Sequence, residues 1–185
     1  YTYTLGAFPT FELLNRRPEV LKEVILGTQV KEEIREKLCP LCEKQGVPVI
    51  TNDRVLERIR EKEACIVAGV LEKYEDSLKP EEDHVVLVNP GDMGNLGTII
   101  RTCAGFGIRN LAVIEPAADL FHPRVLRASM GSLFAVCQER ISSFEEYSRA
   151  YGSGRSFYPF MLKGSVLLNR LERNSVGPCG LIFGN

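Results

Sequence analysis

The sequence predicts an α/β protein built on a parallel sheet, with a smaller α/β unit ahead of it. Three observations lead there. Short apolar runs alternate with stretches of helical spacing along most of the 185 residues, the pattern of parallel strands under covering helices. One such run, Val85 to Val88, passes directly into a glycine-rich turn and then a helical stretch, the place where α/β proteins set ligands and chemistry. An acidic, aperiodic stretch with Pro80 in it separates two alternating series.

In the first series, Phe11, Leu13 and Leu14 give a helix an apolar side, and Leu21 to Leu26 follows as a short strand. Val30 to Gln45 is charged, with Ile34, Leu38 and Leu41 spaced for an amphipathic helix. Gly46 to Ile50 reads as a compact strand, and Thr51 to Glu61 as a helix opened by the capping candidates Thr51, Asn52 and Asp53. Ala64 to Val70 is a buried strand by its β-branched run. Glu72 to Asp83 lacks periodicity and reads as a linker. The second series predicts strand Val85–Asn89, helix Asn95–Phe106, strand Leu111–Ile114 and a helix near Val125–Met130. After these come a strand near Leu133–Cys137, helix Phe144–Tyr151, strand Phe157–Leu162, helix Val166–Leu171 and strand Gly180–Phe183. The boundaries place one domain at 1–75, a linker at 76–83 and a second domain at 84–185.

Hydrophobic content of 44% and charged content of 25% are ordinary for a soluble globular chain. No apolar run reaches the ~20 residues that span a bilayer, and no secretory leader opens the chain. The net charge of −1 gives no bulk attraction to nucleic acid, so any such binding must come from local basic patches. The 6 cysteines read as thiols in a reducing cytoplasm. Cys39 and Cys42 have the spacing of a zinc or redox pair, but no second pair or nearby histidine completes a tetrahedral set, so no metal is expected. The chain opens at Tyr1 and stops at Asn185 straight after a strand-like run, so both ends read as cut.

The turn itself runs Asn89-Pro90-Gly91-Asp92-Met93-Gly94-Asn95-Leu96-Gly97-Thr98-Ile99-Ile100-Arg101. Gly91, Gly94 and Gly97 recur every third residue, which is not the dinucleotide fingerprint, and only Glu115 lies near a ribose-binding acid's place. A tight turn accounts for Gly97, but not for Asn95 and Arg101 beside it. Those residue types prepare the sheet edge for something polar or anionic.

Asn95-x-Gly97-x-x-x-Arg101, with Asn89-Pro90-Gly91 before it and Ala104-x-Phe106-Gly107 after it, resembles the first motif of the SpoU/TrmH family. These are RNA ribose 2′-O-methyltransferases of the SPOUT superfamily. Arg127-Ala128-Ser129-Met130-Gly131 and Leu181-Ile182-Phe183-Gly184-Asn185 are similar to two further family segments. Tyr3, Gly6, Glu12-Leu13-Leu14, Arg17-Pro18-Glu19 and Gly46-Val47-Pro48-Val49 resemble the ribosomal-protein-like domain with which many members bind substrate.

The resemblance implies transfer of a methyl group from S-adenosylmethionine to a ribose 2′-hydroxyl of structured RNA, ribosomal or transfer. It implies that Arg101 is catalytic, with Asn95 orienting it or bonding the ribose. Gly184 and Asn185 would touch the cofactor, Arg124 and Arg127 would touch RNA phosphates, and Ser129 and Gly131 would serve packing. It also implies an α/β-knot domain that pairs as a homodimer. The family's second motif continues past the Gly-Asn with a glutamate, and a third motif completes the knot; both lie beyond Asn185, so the knot segment is missing from this chain. A non-catalytic RNA-binding module is the competing class, and a dinucleotide-binding enzyme the third.

Overall fold

The computed structural model describes residues 1–60, 65–161, 164, 166, 167, 170 and 177–184. Half of the helix expected at Val166–Leu171 falls outside this set, as do the end of the strand expected to reach Leu162 and the whole of Asn185. The chain divides into two compact units. One holds Tyr1–Tyr74, Met93–Arg101 and Asp119–Ala135; the other holds Glu75–Asp92, Thr102–Ala118 and Val136–Asn185.

The first unit carries a four-stranded mixed sheet in the order β1-β4-β2-β3, formed by Thr2–Tyr3, Val67–Leu71, Leu21–Leu26 and Val49–Thr51. β2 runs parallel to β3 and antiparallel to β4. Helices α1 (Ala7–Arg16), α2 (Glu32–Gln45) and α3 (Asp53–Ile59) accompany it. Asn52 caps α3 by accepting the Val55 amide at 3.2 Å, and Gly46 ends α2 in the left-handed conformation at φ 68. Ile25, Leu56 and Ala68 form one buried cluster. The two-residue β1 has no periodicity to betray it and was not foreseen.

The second unit is the predicted parallel sheet. Its order is β7-β6-β5-β9-β8, from Cys137–Ile141, Asn110–Ile114, His84–Val88, Cys179–Gly184 and Ser156–Phe160, and every neighbouring pair is parallel. All five residues of β6 and the first four of β5 are buried, so both faces of these central strands are covered. Val86, Ala112, Ile114 and Ile141 pack with Tyr147 from α6 (Phe144–Tyr151). α6 falls where its spacing put it because Ser143 caps it, accepting the Glu146 amide at 3.1 Å. α4 (Met93–Gly105) crosses from one unit to the other between Arg101 and Thr102, and α5 (Pro123–Ala128) lies in the first unit.

One element departs from expectation. Leu133 and Phe134 are buried in a tight helical turn over Ser132–Ala135, and the strand begins only at Cys137. β7 is an edge strand whose Gln138, Glu139 and Arg140 disguise it, whereas the apolar run before it mimics a strand. The stretch read as a linker is packed. Leu78 is buried in the sheet core, its amide donates to Glu139 Oε2 at 3.0 Å, and the Lys79 amide donates to Asn110 Oδ1 at 3.0 Å.

Candidate active site

The site begins with the turn that ends β5. Asn89 takes φ 55, a left-handed backbone that asparagine tolerates better than most residues. Its amide donates to the Ile114 carbonyl at 3.0 Å, and the Pro90 carbonyl accepts the Ala118 amide at 2.9 Å. The turn is thus tied to the chain that leaves β6. Along α4, Leu96, Ile100 and Cys103 form a buried stripe at helical spacing, while Asn95, Thr98 and Arg101 are exposed.

Arg101 makes no hydrogen bond or ion pair with any described residue. Among the described residues, then, no carboxylate holds its guanidinium. Nor does it bond Asn95 here. Six residues of helix put the two Cα atoms about 9 Å apart along the axis, so both reach outward separately.

Gly97 explains itself in this geometry. A Cβ built on it would stand 2.5 Å from Ala128 Cβ and 2.9 Å from both Ser129 N and Val125 O. α4 and α5 meet backbone to backbone at this point, and only glycine fits. Gly97, assigned to a tight turn from the sequence, lies inside α4 and serves the approach of a second helix. The Arg127–Gly131 segment closes α5: Met130 and Gly131 are both left-handed at φ 51 and 76, and the Gly131 amide returns to the Leu126 carbonyl at 3.0 Å. Ser129 is fully buried and donates its hydroxyl to Leu126 O at 3.0 Å. A Cβ on Gly131 would stand 2.8 Å from Glu12 Cβ and 3.0 Å from Pro9 Cα. Both residues therefore serve packing. Arg124 is exposed and Arg127 half-buried on α5.

In the other unit, Val88, Ile114, Ile141 and Gly184 stand level at the carboxyl edge of the sheet. Gly184 is exposed, and a Cβ there would approach Val88 Cβ to 3.2 Å. Phe160 stacks on Phe183 with ring centroids 4.6 Å apart. Glu115 is held by Arg140, whose Nε and Nη2 approach the same carboxylate oxygen at 2.7 and 2.6 Å. That pairing leaves it ill suited to grip a ribose diol. Asn185 lies outside the described residues.

The opposite edge holds a group of residues that sequence reasoning missed. Arg155, buried, donates to the carbonyls of Tyr151, Glu82, Cys179 and Pro80 at 3.0, 2.8, 2.8 and 2.7 Å. His84, also buried, meets Tyr147 Oη at 2.9 Å and the Lys79 carbonyl at 2.9 Å. Burial first, then the Arg155 charge, holds the His84 imidazole below its ordinary range. Nothing in the spacing of an arginine after Gly152-Ser153-Gly154 signals this role. Cys39 and Cys42 are free thiols on α2, and burial pushes Cys42 up to about 11, away from the thiolate a metal needs. Among the described residues no group of three histidine, cysteine or carboxylate side chains is placed to hold a metal.

Residues 82–185, which run from the end of the connector through α4 to β9, match the family model described as the SpoU rRNA Methylase family. The chain belongs to this family. Among curated SpoU relatives, a 23S rRNA (uridine(2479)-2'-O)-methyltransferase of Streptomyces viridochromogenes is 37% identical over 70 residues, 37% of this chain and 24% of that protein. A 23S rRNA (guanosine(2553)-2'-O)-methyltransferase of Bacillus subtilis is 23% identical over 142 residues, 74% of this chain and 54% of that protein. The matches thus span about a quarter to a half of these relatives' lengths. In three dimensions the chain resembles the SpoU methyltransferase AviRb of Streptomyces viridochromogenes in complex with the cofactor AdoMet. The TM-score is 0.81 at 22% identity, over 99% of this chain and 72% of that one. This likeness establishes the α/β fold with its parallel sheet. Among the described residues no helix is long and apolar enough to cross a membrane.

Proposed function

We propose that the protein transfers a methyl group from S-adenosylmethionine to a ribose 2′-hydroxyl of structured RNA, ribosomal RNA before transfer RNA. The observation that carries the reading is Arg101, exposed and unpaired among the described residues on a helix inside the matched family segment. Methylated ribosomal RNA is named for both curated relatives. Bound S-adenosylmethionine supplies an electrophilic methyl group. The exposed main chain of Gly184, where a side chain would crowd Val88, suits close approach of such a cofactor, and Asn185 would join it.

Arg101 would grip the RNA backbone and stabilise charge developing on the 2′-oxygen. It would not act as a lasting base, since a guanidinium stays protonated at neutral pH. Asn95 would bond the ribose through its amide, and Arg124 and Arg127 would contact phosphates. In this reading residues 1–75 grip folded RNA, 76–83 join the two domains and 84–185 carry the chemistry, in a homodimer working in the cytoplasm.

The test is a methyl-acceptor assay with ribosomal and transfer RNA transcripts, using the full-length protein that contains this chain. Arg101→Ala is expected to lower turnover by about 10²–10³-fold, the scale of one lost transition-state donor, and to lower RNA affinity far less. Equal loss of rate and affinity would favour an RNA-binding module instead. A dinucleotide that binds while S-adenosylmethionine does not would identify a nucleotide enzyme.

A further inference from the structure

The unit formed by Tyr1–Tyr74, Met93–Arg101 and Asp119–Ala135 leaves two aromatic rings exposed, Tyr1 at the start of the chain and Phe8 on a helix. Phe8, on the first turn of α1, is 54% exposed, although a phenylalanine gains most by burial. Its backbone is firmly held. Pro9 follows it and is buried, and Gly131 abuts Pro9 so closely that a Cβ would come within 3.0 Å of Pro9 Cα. Met130, the residue before Gly131, is itself 37% exposed in a left-handed conformation. An apolar ring and a polarizable thioether are therefore presented from neighbouring, fixed backbone.

The first turn of α1 has no carboxylate, and Glu12 is paired with Arg16 at 2.7 Å. The Met130 amide donates to the Arg127 carbonyl at 2.9 Å, which sets Arg127 one turn of chain from the thioether. Arg124 is exposed one turn earlier on α5. A flat apolar face with two arginines on the helix that leads to Met130 suits an unpaired nucleobase and its phosphates.

We propose that Phe8 is a stacking platform for an unpaired base of the substrate RNA, with Met130 beside it and Arg124 and Arg127 on the adjoining phosphates. The inference rests on the RNA reading above and adds to it where the substrate must be single-stranded. Phe8 touches no reacting atom; it is a positioning residue.

The probe is a short uridine-rich RNA strand carrying one 2-aminopurine, whose fluorescence reports stacking, with the corresponding duplex as comparison. Phe8→Ala is expected to weaken binding of the single strand roughly 5- to 150-fold without altering the dependence on salt. Phe8→Trp should restore it. The duplex, whose bases are already stacked, should bind wild type and Phe8→Ala alike. Arg124→Ala should instead lower the salt slope by about one. If Phe8→Ala binds the single strand as wild type does, the platform is overturned while the RNA reading stands. If wild type binds neither strand nor duplex, the RNA reading itself fails.

Discussion

Arg101 shows how far a residue type decides chemistry. Lysine would keep the positive charge but not the planar, two-pronged donor that meets a phosphate or an oxygen pair. Arg101→Lys is therefore expected to retain RNA affinity while losing about tenfold or more in turnover, as measured by single-turnover methylation. Full activity in the lysine variant would reduce the arginine to a point charge. Asn95, Gly97 and Arg101 were legible in the sequence as a set because their spacing fixes them to one turn and one helix. Two things at this scale were hidden: the partner that demands Gly97, and the absence of any described ion pair at Arg101. Both depend on residues distant in the chain.

Helices and strands show the same division between local and distant causes. α6 was legible because a capping serine, an acidic first turn and one apolar face all lie within its own segment. β7 was not, because an edge strand needs only one apolar side and pairs through its backbone. The contact between α4 and α5 gives a sharp test. Alanine would normally favour a helix over glycine by about 1 kcal/mol. At position 97 its methyl would strike Ala128 Cβ at 2.5 Å and two backbone atoms at 2.9 Å, none of which can rotate aside. Gly97→Ala is expected to cost about 1–3 kcal/mol, the range for overpacking, read from the urea midpoint. Gly91→Ala, with no atom within 4 Å and no positive φ, should leave the midpoint unchanged. A neutral Gly97→Ala would show that the helices can part.

Across the molecule, the parallel sheet could be read from the alternation of apolar runs, whereas the packed connector and the grouping of Met93–Arg101 and Asp119–Ala135 with Tyr1–Tyr74 could not. The connector's anchors, Arg155, His84, Asn110 and Glu139, come from four separate stretches of sequence. They also make stability depend on pH. In the unfolded chain His84 titrates near 6.5. In the fold, burial foremost and then the Arg155 charge lower that value, against an opposite pull from the hydrogen bond to the Lys79 carbonyl and from Asp83 and Glu139. Below that pH the unfolded chain takes up a proton that the folded one resists, so stability is full above it and declines as the pH falls through it. Urea midpoints taken from about pH 7.5 to about pH 5.5 should drop, and His84→Gln should flatten the drop; an equal slope in that variant would assign the titration elsewhere. The strand order has a last consequence, for synthesis. Among the described residues β9 is the last strand in sequence, yet it sits between β5 and β8, and β8 has no other partner there. On the ribosome, where chains emerge from the N-terminus, β5, β6 and β7 can zip together early. β8 must wait unpaired until Gly184 has cleared the tunnel, and its Pro159, with no amide to offer a stray strand, makes that wait safer.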